Sequence, residues 1–256
     1  MQYNYHTHTV RCHHASGEAE EYVIRAIENG VKYMGFSDHV PLKFTDGKES
    51  GHRIPVCEGK AYCDEMKALA EKYNDKIQIK VRFEMEYYPE YFEKTIKEVK
   101  EYGGEYLILG QHFLKPENSG AFPTIKPNES ADELKEYVST VISAIKTGVF
   151  TYVAHPDIFN FVGDAEIYKS EMRRLCITSR ELKVPLEINF LGIRGGRNYP
   201  NDALWQVAGE EKSPVVFGFD AHDIYSAFDG ESLSKAKEIV QKYNLNYIGR
   251  PELVIL

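Results

Sequence analysis

Tyr3-Asn4-Tyr5-His6-Thr7-His8 opens the chain, with His13-His14 just behind it. Tyr3-Asn4-Tyr5 suits a short strand that starts almost at residue 1. Side chains alternate along a strand, so His6 and His8 share a face and both imidazoles can reach one ion. Taken alone, the pair reads equally well as two polar residues on a surface strand. Repetition decides between the two readings, because later strands also end in residues that bind metal ions.

Working outward, residues 17–28 form an apolar stripe at helical spacing: Ala19, Tyr22, Val23, Ala26 and Ile27. Ser16 is the expected cap and Asn29-Gly30 the stop. Tyr33-Met34-Gly35-Phe36-Ser37 reads as a strand ending in Asp38-His39. After a polar loop (43–55) and a helix near 58–73, residues 77–83 alternate as a strand that Glu84 closes. A helix over 89–102 leads to strand 106–110, which ends at His112. A loop rich in Pro, Gly and Asn and a helix over 131–147 precede strand 150–154, ending at His155. A helix over 165–183 leads to strand 185–188, which ends in Asn189. A Gly- and Arg-rich loop and a short helix near Ala203 follow. The last strand, 215–219, ends at Asp220 with His222 two residues on; a helix over 231–243 and an apolar tail complete the chain.

Strands that alternate regularly with helices make βαβ units and a parallel sheet. Seven such strands predict an α/β fold of the TIM-like kind, a seven-stranded (β/α)7 barrel forming a single domain over residues 1–256. Active sites of such barrels lie at the carboxyl ends of the strands. His6, His8, His39, Glu84, His112, His155, Asn189, Asp220 and His222 all fall there. A lone histidine at a strand end has a dull explanation. Seven strands that all end in ligand chemistry point to a cluster of zinc, iron or manganese ions.

With 31 basic and 39 acidic residues the net charge is −8, without long runs of one sign. That excludes the basic patch of a nucleic-acid or membrane partner. No apolar run is long enough to span a bilayer, and the first residues lack a secretory layout. Cys12, Cys57, Cys63 and Cys176 form no C-x-x-C pair, which suits reduced thiols in the cytoplasm. Cys12 reads as a packed thiol, and His13 and His52 as exposed residues without a role. The oligomeric state is not legible.

His6-Thr7-His8-Thr9, Ser37-Asp38-His39, Phe83-Glu84-Met85-Glu86-Tyr87, Gln111-His112-Phe113, His155-Pro156-Asp157, Glu187-Ile188-Asn189 and Asp220-Ala221-His222 occur in an order that resembles the PHP phosphoesterase family, and within it the histidinol-phosphatases. The resemblance implies a distorted barrel holding three divalent transition-metal ions: zinc, manganese or iron. Carried over, His6, His8, Glu84 and Asp220 hold one ion, and Glu84 bridges to a second held by His112 and His155. His14, His39 and His222 hold the third, with Asp220 as a further bridge; Glu84 rather than Glu86, and His14 rather than His13, match the family spacing. The implied reaction is hydrolysis of L-histidinol phosphate, a small phosphorylated metabolite of histidine synthesis. The alternatives are another phosphoester, such as a nucleotide or phosphopeptide, or a non-catalytic metal-stabilised module.

Two ions about 3.5–4 Å apart would clamp the attacking and leaving oxygens and turn a bridging water into hydroxide. In the loop after the sixth strand, Gly192-Ile193-Arg194 matches a family motif, which makes Arg194 the expected phosphate contact and Arg197 a solvated neighbour. Asp157 and Asp38 are candidates for orienting a histidine or for protonating the leaving group. Glu86, Glu117 and Asp157 are candidate contacts for a substrate amine. The chain departs from histidinol-phosphatase relatives at Leu114-Lys115-Pro116 and Asn160-Phe161, both expected near the substrate pocket.

Overall fold

A computed structural model describes every residue, 1–256. In chain order the elements are β1 (Tyr3–Asn4), α1 (Ala19–Glu28), β2 (Tyr33–His39), α2 (Gly59–Lys72), β3 (Gln78–Met85), α3 (Pro89–Tyr102), β4 (Tyr106–Leu109) and α4 (Ala131–Lys146). They continue as β5 (Phe150–Val153), α5 (Ala165–Leu182), β6 (Leu186–Asn189), α6 (Phe190–Gly195), α7 (Asp202–Glu211), β7 (Pro214–Gly218), α8 (Gly230–Lys242) and β8 (Asn246–Tyr247). The strands form one parallel sheet in sequence order, β1 to β8.

The sheet has eight strands, not the expected seven. The eighth lies in the stretch read as tail, and two residues are too few to show an alternation. Asn246 and Tyr247 pair with Pro214 and Val215, and the Tyr247 ring stacks on Phe217 at 4.2 Å. The ladder is open between β1 and β8, but the extensions of β1 and β7 meet at the carboxyl ends. Thr7 bridges Ala221, with His8 N donating to Ala221 O at 2.9 Å and Ala221 N to His6 O at 3.2 Å.

The outward residues of the strands pack against the helices in one cluster of 53 buried residues. The inward residues form a second cluster that includes Tyr3, Tyr5, Tyr106, Ile108 and Tyr152. Arg82 lies among them, fully buried, its guanidinium 3.5 Å from the Tyr5 ring and 3.3 Å from that of Tyr106. Gly35 makes this possible, since a Cβ there would stand 2.4 Å from Arg82 Nε. Arg82 and Glu84 are two apart on β3, so both point inward, Glu84 nearer the carboxyl end.

Two local readings change. Helix α1 starts at Ala19, where Glu18 N donates to Glu21 Oε2 at 2.8 Å. Ser16 instead donates from its backbone to His222 O at 2.9 Å, tying the His14 segment to the end of β7. The Gly- and Arg-rich stretch is helix α6, capped by the Asn189 side chain, which accepts from Gly192 N at 3.1 Å. No helix is long and apolar enough to cross a membrane, and the four cysteines are free.

Candidate metal centre and active site

The extended backbone on either side of Thr7 places His6 and His8 on one side, with ring centroids 5.2 Å apart and both rings buried. His6 Nε2 faces Glu84 Oε2 and Asp220 Oδ1, each at 3.5 Å; His8 Nε2 faces the same oxygens at 3.5 and 3.3 Å. Glu84 Oε1 lies 2.9 Å from His155 Nε2 and 3.5 Å from His112 Nε2, and Glu84 Oε2 lies 3.4 Å from His39 Nδ1. One carboxylate thus meets five imidazoles. A glycine just past the end of the neighbouring strand β4 makes room for it: a Cβ on Gly110 would stand 1.9 Å from Glu84 Oε1. His14, His39 and His222 form a further group nearer the surface, with His14 and His222 centroids 4.8 Å apart.

The donors fit metal ions. His6 Nε2, His39 Nδ1, Glu84 Oε1 and Asp220 Oδ1 are buried without a hydrogen-bond partner. Two ligands about 2.0–2.2 Å from one tetrahedral ion stand about 3.3–3.6 Å apart, the spacing most of these atoms show. Electrostatics agree. Burial alone would lower the His6 imidazole, yet Asp220, Glu187 and Glu84 pull it up to about 10. Burial alone would raise Glu84 and Asp220, but the facing imidazoles hold both well below the usual carboxylate range. The centre therefore favours a cation.

Outer partners aim the rings. Glu187 Oε1 takes His6 Nδ1 at 2.8 Å and Glu86 Oε1 takes His112 Nδ1 at 2.8 Å. Asp38 Oδ2 accepts from Thr9 N at 3.0 Å and from the Thr9 hydroxyl, leaving Oδ1 3.4 Å from His8 Nδ1. Asn189 donates to Glu187 Oε2 at 2.8 Å and to Asp220 Oδ2 at 3.0 Å. Asp220 and His155 hold positive φ angles of 47° and 31°, conformations that cost about 1–3 kcal/mol each and cluster at functional sites.

A cavity of about 640 Å³ opens over this cluster, lined by His8, His14, His39, Glu84, His112, His155, Asp220 and His222. Arg197, Tyr199, His13, His52 and Phe113 complete much of its wall. The two arginines exchange their expected places. Arg194 donates to the carbonyls of Phe219 (2.6 Å) and Asp220, outside the cavity, because α6 turns it back onto the end of β7. Arg197 stands in the wall and donates to Tyr199 Oη at 2.9 Å.

Asp157 does not line the cavity. Its carboxylate accepts from Asn201 N at 2.7 Å and Trp205 Nε1 at 2.9 Å, and burial pushes it up to about 6. Glu86 and Glu117 also miss the cavity and instead flank the buried Arg53, at 2.6 and 2.7 Å. Leu114, Lys115 and Asn160 lie off the wall as well. His13 and His52, read as idle, are on it. Cys12 is buried and near enough to His8 and His222 to share an ion with them.

From the sequence, Glu187 has only its place in a motif, and Arg53 has no role at all. Glu187 had a signal: it lies two residues before Asn189 on β6 and so shares its face. Arg53 had none, because its partners are 33 and 64 residues away.

The PHP domain family matches residues 4–190. The chain belongs to the PHP family. Among curated relatives, this PHP chain is 29% identical over 249 residues to the histidinol-phosphatase of Bacillus subtilis, covering 85% of this chain and 92% of that one. It is 23% identical over 225 residues to a probable histidinol-phosphatase of Deinococcus radiodurans, covering 85% of each. Its fold is similar to a crystal structure of histidinol phosphate phosphatase from Lactococcus lactis in complex with zinc, L-histidinol and phosphate. That likeness has a TM-score of 0.73 and 16% identity, over 100% of this chain and 98% of the other. Family membership and the donor set together imply divalent metal ions at this PHP cluster.

Proposed function

We propose that this protein is a metal-dependent phosphomonoesterase that hydrolyses L-histidinol phosphate to L-histidinol and phosphate, acting in the cytoplasm as one PHP domain. The observation that carries the reading is the convergence of seven imidazoles, Glu84 and Asp220 in one cluster, all but His6 lining one cavity, with buried donor atoms that lack partners. His6, His8, Glu84 and Asp220 would hold one ion, Glu84 with His112 and His155 a second, and His14, His39 and His222 a third, Asp220 being a further bridge. Divalent ions of this kind offset phosphoryl charge and lower the pKa of water toward neutrality.

The chain's own residues supply aim and recognition. Glu187, Asp38 and Glu86 fix the directions of His6, His8 and His112. Arg197 is the phosphate contact, since it is the arginine in the wall and a guanidinium matches phosphate oxygens. Arg194 holds the carbonyl end of Asp220, so its role is to keep that ligand's strained backbone in place. The histidinol group is supported by the curated histidinol-phosphatases this chain resembles over most of its length.

The test has two parts. Metal analysis of protein purified from metal-replete medium should find two to three equivalents, and a chelator should abolish turnover; less than one equivalent refutes the centre. kcat/KM for L-histidinol phosphate is then compared with nucleotides, sugar phosphates and phosphotyrosine. A rival winning by more than about a hundredfold, ~2.7 kcal/mol of discrimination, would replace the substrate and leave the reaction class standing.

A further inference from the structure

His52 belongs to the polar loop between β2 and α2, past the strand end that carries His39, and it lines the cavity. Its ring edge is turned away from the cavity's contents. Nδ1 lies 2.8 Å from Ser50 Oγ, and Nε2 is buried, 3.2 Å from Glu117 Oε1 but without a hydrogen bond to it. A bonded nitrogen and a buried one leave the face as what the imidazole offers the cavity. The ring tilts against Phe113, with centroids 5.4 Å apart and planes at 31°, and stands edge-on to His39 at 5.5 Å. Phe113 follows His112 directly and is fixed by a bridge to Pro123. An imidazole and a phenyl ring thus make one aromatic wall beside the candidate metal ligands.

A surface loop has no evident need to be held so firmly. Arg53, the next residue, is buried and uses three donors: Nη2 to Glu86 Oε2 at 2.6 Å, Nε to Glu117 Oε1 at 2.7 Å and Nη1 to Val40 O at 3.3 Å. Glu117 also accepts from Tyr88 Oη at 3.2 Å. One guanidinium therefore joins the carboxylate that aims His112 to the carboxylate that holds His52. The wall and the candidate metal ligand share a support.

We propose that His52 is a specificity-determining residue: with Phe113 it forms the wall on which a flat aromatic ring of the leaving group stacks. Arg53 and Glu117 are its positioning residues. The inference rests on the phosphomonoesterase reading and deepens it, by assigning the part of the cavity that recognises the leaving group rather than the phosphate. Ring stacking carries discrimination of up to about tenfold for a pair of this kind.

The test compares two substrates that share a phosphate and a neighbouring amine: L-histidinol phosphate, and 2-aminopropyl phosphate, which lacks the ring. The quantity read is the ratio of their kcat/KM values, in wild type, His52→Ala and His52→Phe, each with its metal content measured. His52→Ala should lower the ratio about tenfold, chiefly through KM for the ring-bearing ester. His52→Phe keeps a flat ring and should hold the ratio within about twofold of wild type. An unchanged ratio in His52→Ala, an equal loss on both substrates, or a fall in His52→Phe as large as in His52→Ala each overturns the inference. A wild-type enzyme that hydrolyses both esters equally well overturns it alone. One that hydrolyses no phosphomonoester removes the parent reading, and this one with it.

Discussion

Arg53→Met is the most exacting test of how this site is supported. The guanidinium is fully buried between Glu86, also buried, and Glu117, whose side chain is 10% exposed. Methionine would roughly conserve the apolar stem and delete three donors. Two carboxylates would then face one another in a low-dielectric setting with their shared cation gone. Breaking a buried pair from one side typically costs about 3–5 kcal/mol, because the charge left behind is uncompensated. For a chain of this size each kcal/mol lowers Tm by about 2–4 °C, so the variant should melt roughly 6–20 °C lower. Arg53→Lys should recover only part of the loss, since one ammonium cannot present a fork of donors to both carboxylates. The assay is urea unfolding at saturating metal, followed by far-ultraviolet circular dichroism. A loss below about 1 kcal/mol in Arg53→Met would refute the reasoning, by showing that the two acids are neutral or solvated in the native protein.

Three further outcomes are expected. Glu187→Gln should weaken metal affinity or activity about 10- to 100-fold by loosening His6, measured by competition with a metal-binding dye; an unchanged affinity would remove Glu187 from the support of the centre. Arg197→Ala should lower kcat/KM by roughly tenfold or more with metal content unchanged, given about 1.5–3 kcal/mol for a charge-assisted contact; loss of metal instead would make Arg197 structural. Burial by itself raises the Glu117 carboxyl, but His52 and Arg53 hold it down to about 2, below its unfolded value. Its stabilisation is therefore complete above about pH 5 and lost as pH falls toward 2, on the order of 3 kcal/mol, and Glu117→Gln should flatten that part of the stability–pH curve.

The strands that carry the site were legible because each ends a short apolar run or alternation with a ligand-type residue, as Phe83-Glu84 and Val153-Ala154-His155 do. The parallel order followed from the helices between them. Two elements escaped for local reasons. Gly192, Gly195 and Gly196 disguised α6 as a loop, although Asn189 was an available cap for it. β8 is held by Pro214, Val215 and the Phe217 ring rather than by any pattern of its own. Within the site, the inner donors lie at positions the alternation selects. Which arginine faces the cavity was not legible, because α6 decides which way each one points. The Arg53 network was invisible because it joins loops through charge pairs that no periodicity encodes.

The stack of Tyr5, Arg82 and Tyr106, with Tyr3 and Tyr152 around it, stoppers the barrel beneath Glu84. On the proposed function, ions, water, ester and products would then share the mouth of the cavity over the cluster. Traffic through one doorway is sequential. An ester seated on the cluster would bar the way out for ions below it, and a retained phosphate would bar the way in for the next ester. Occupancy of the mouth would thereby set the residence time of the metals, so that exchange is expected to be slower during turnover than at rest.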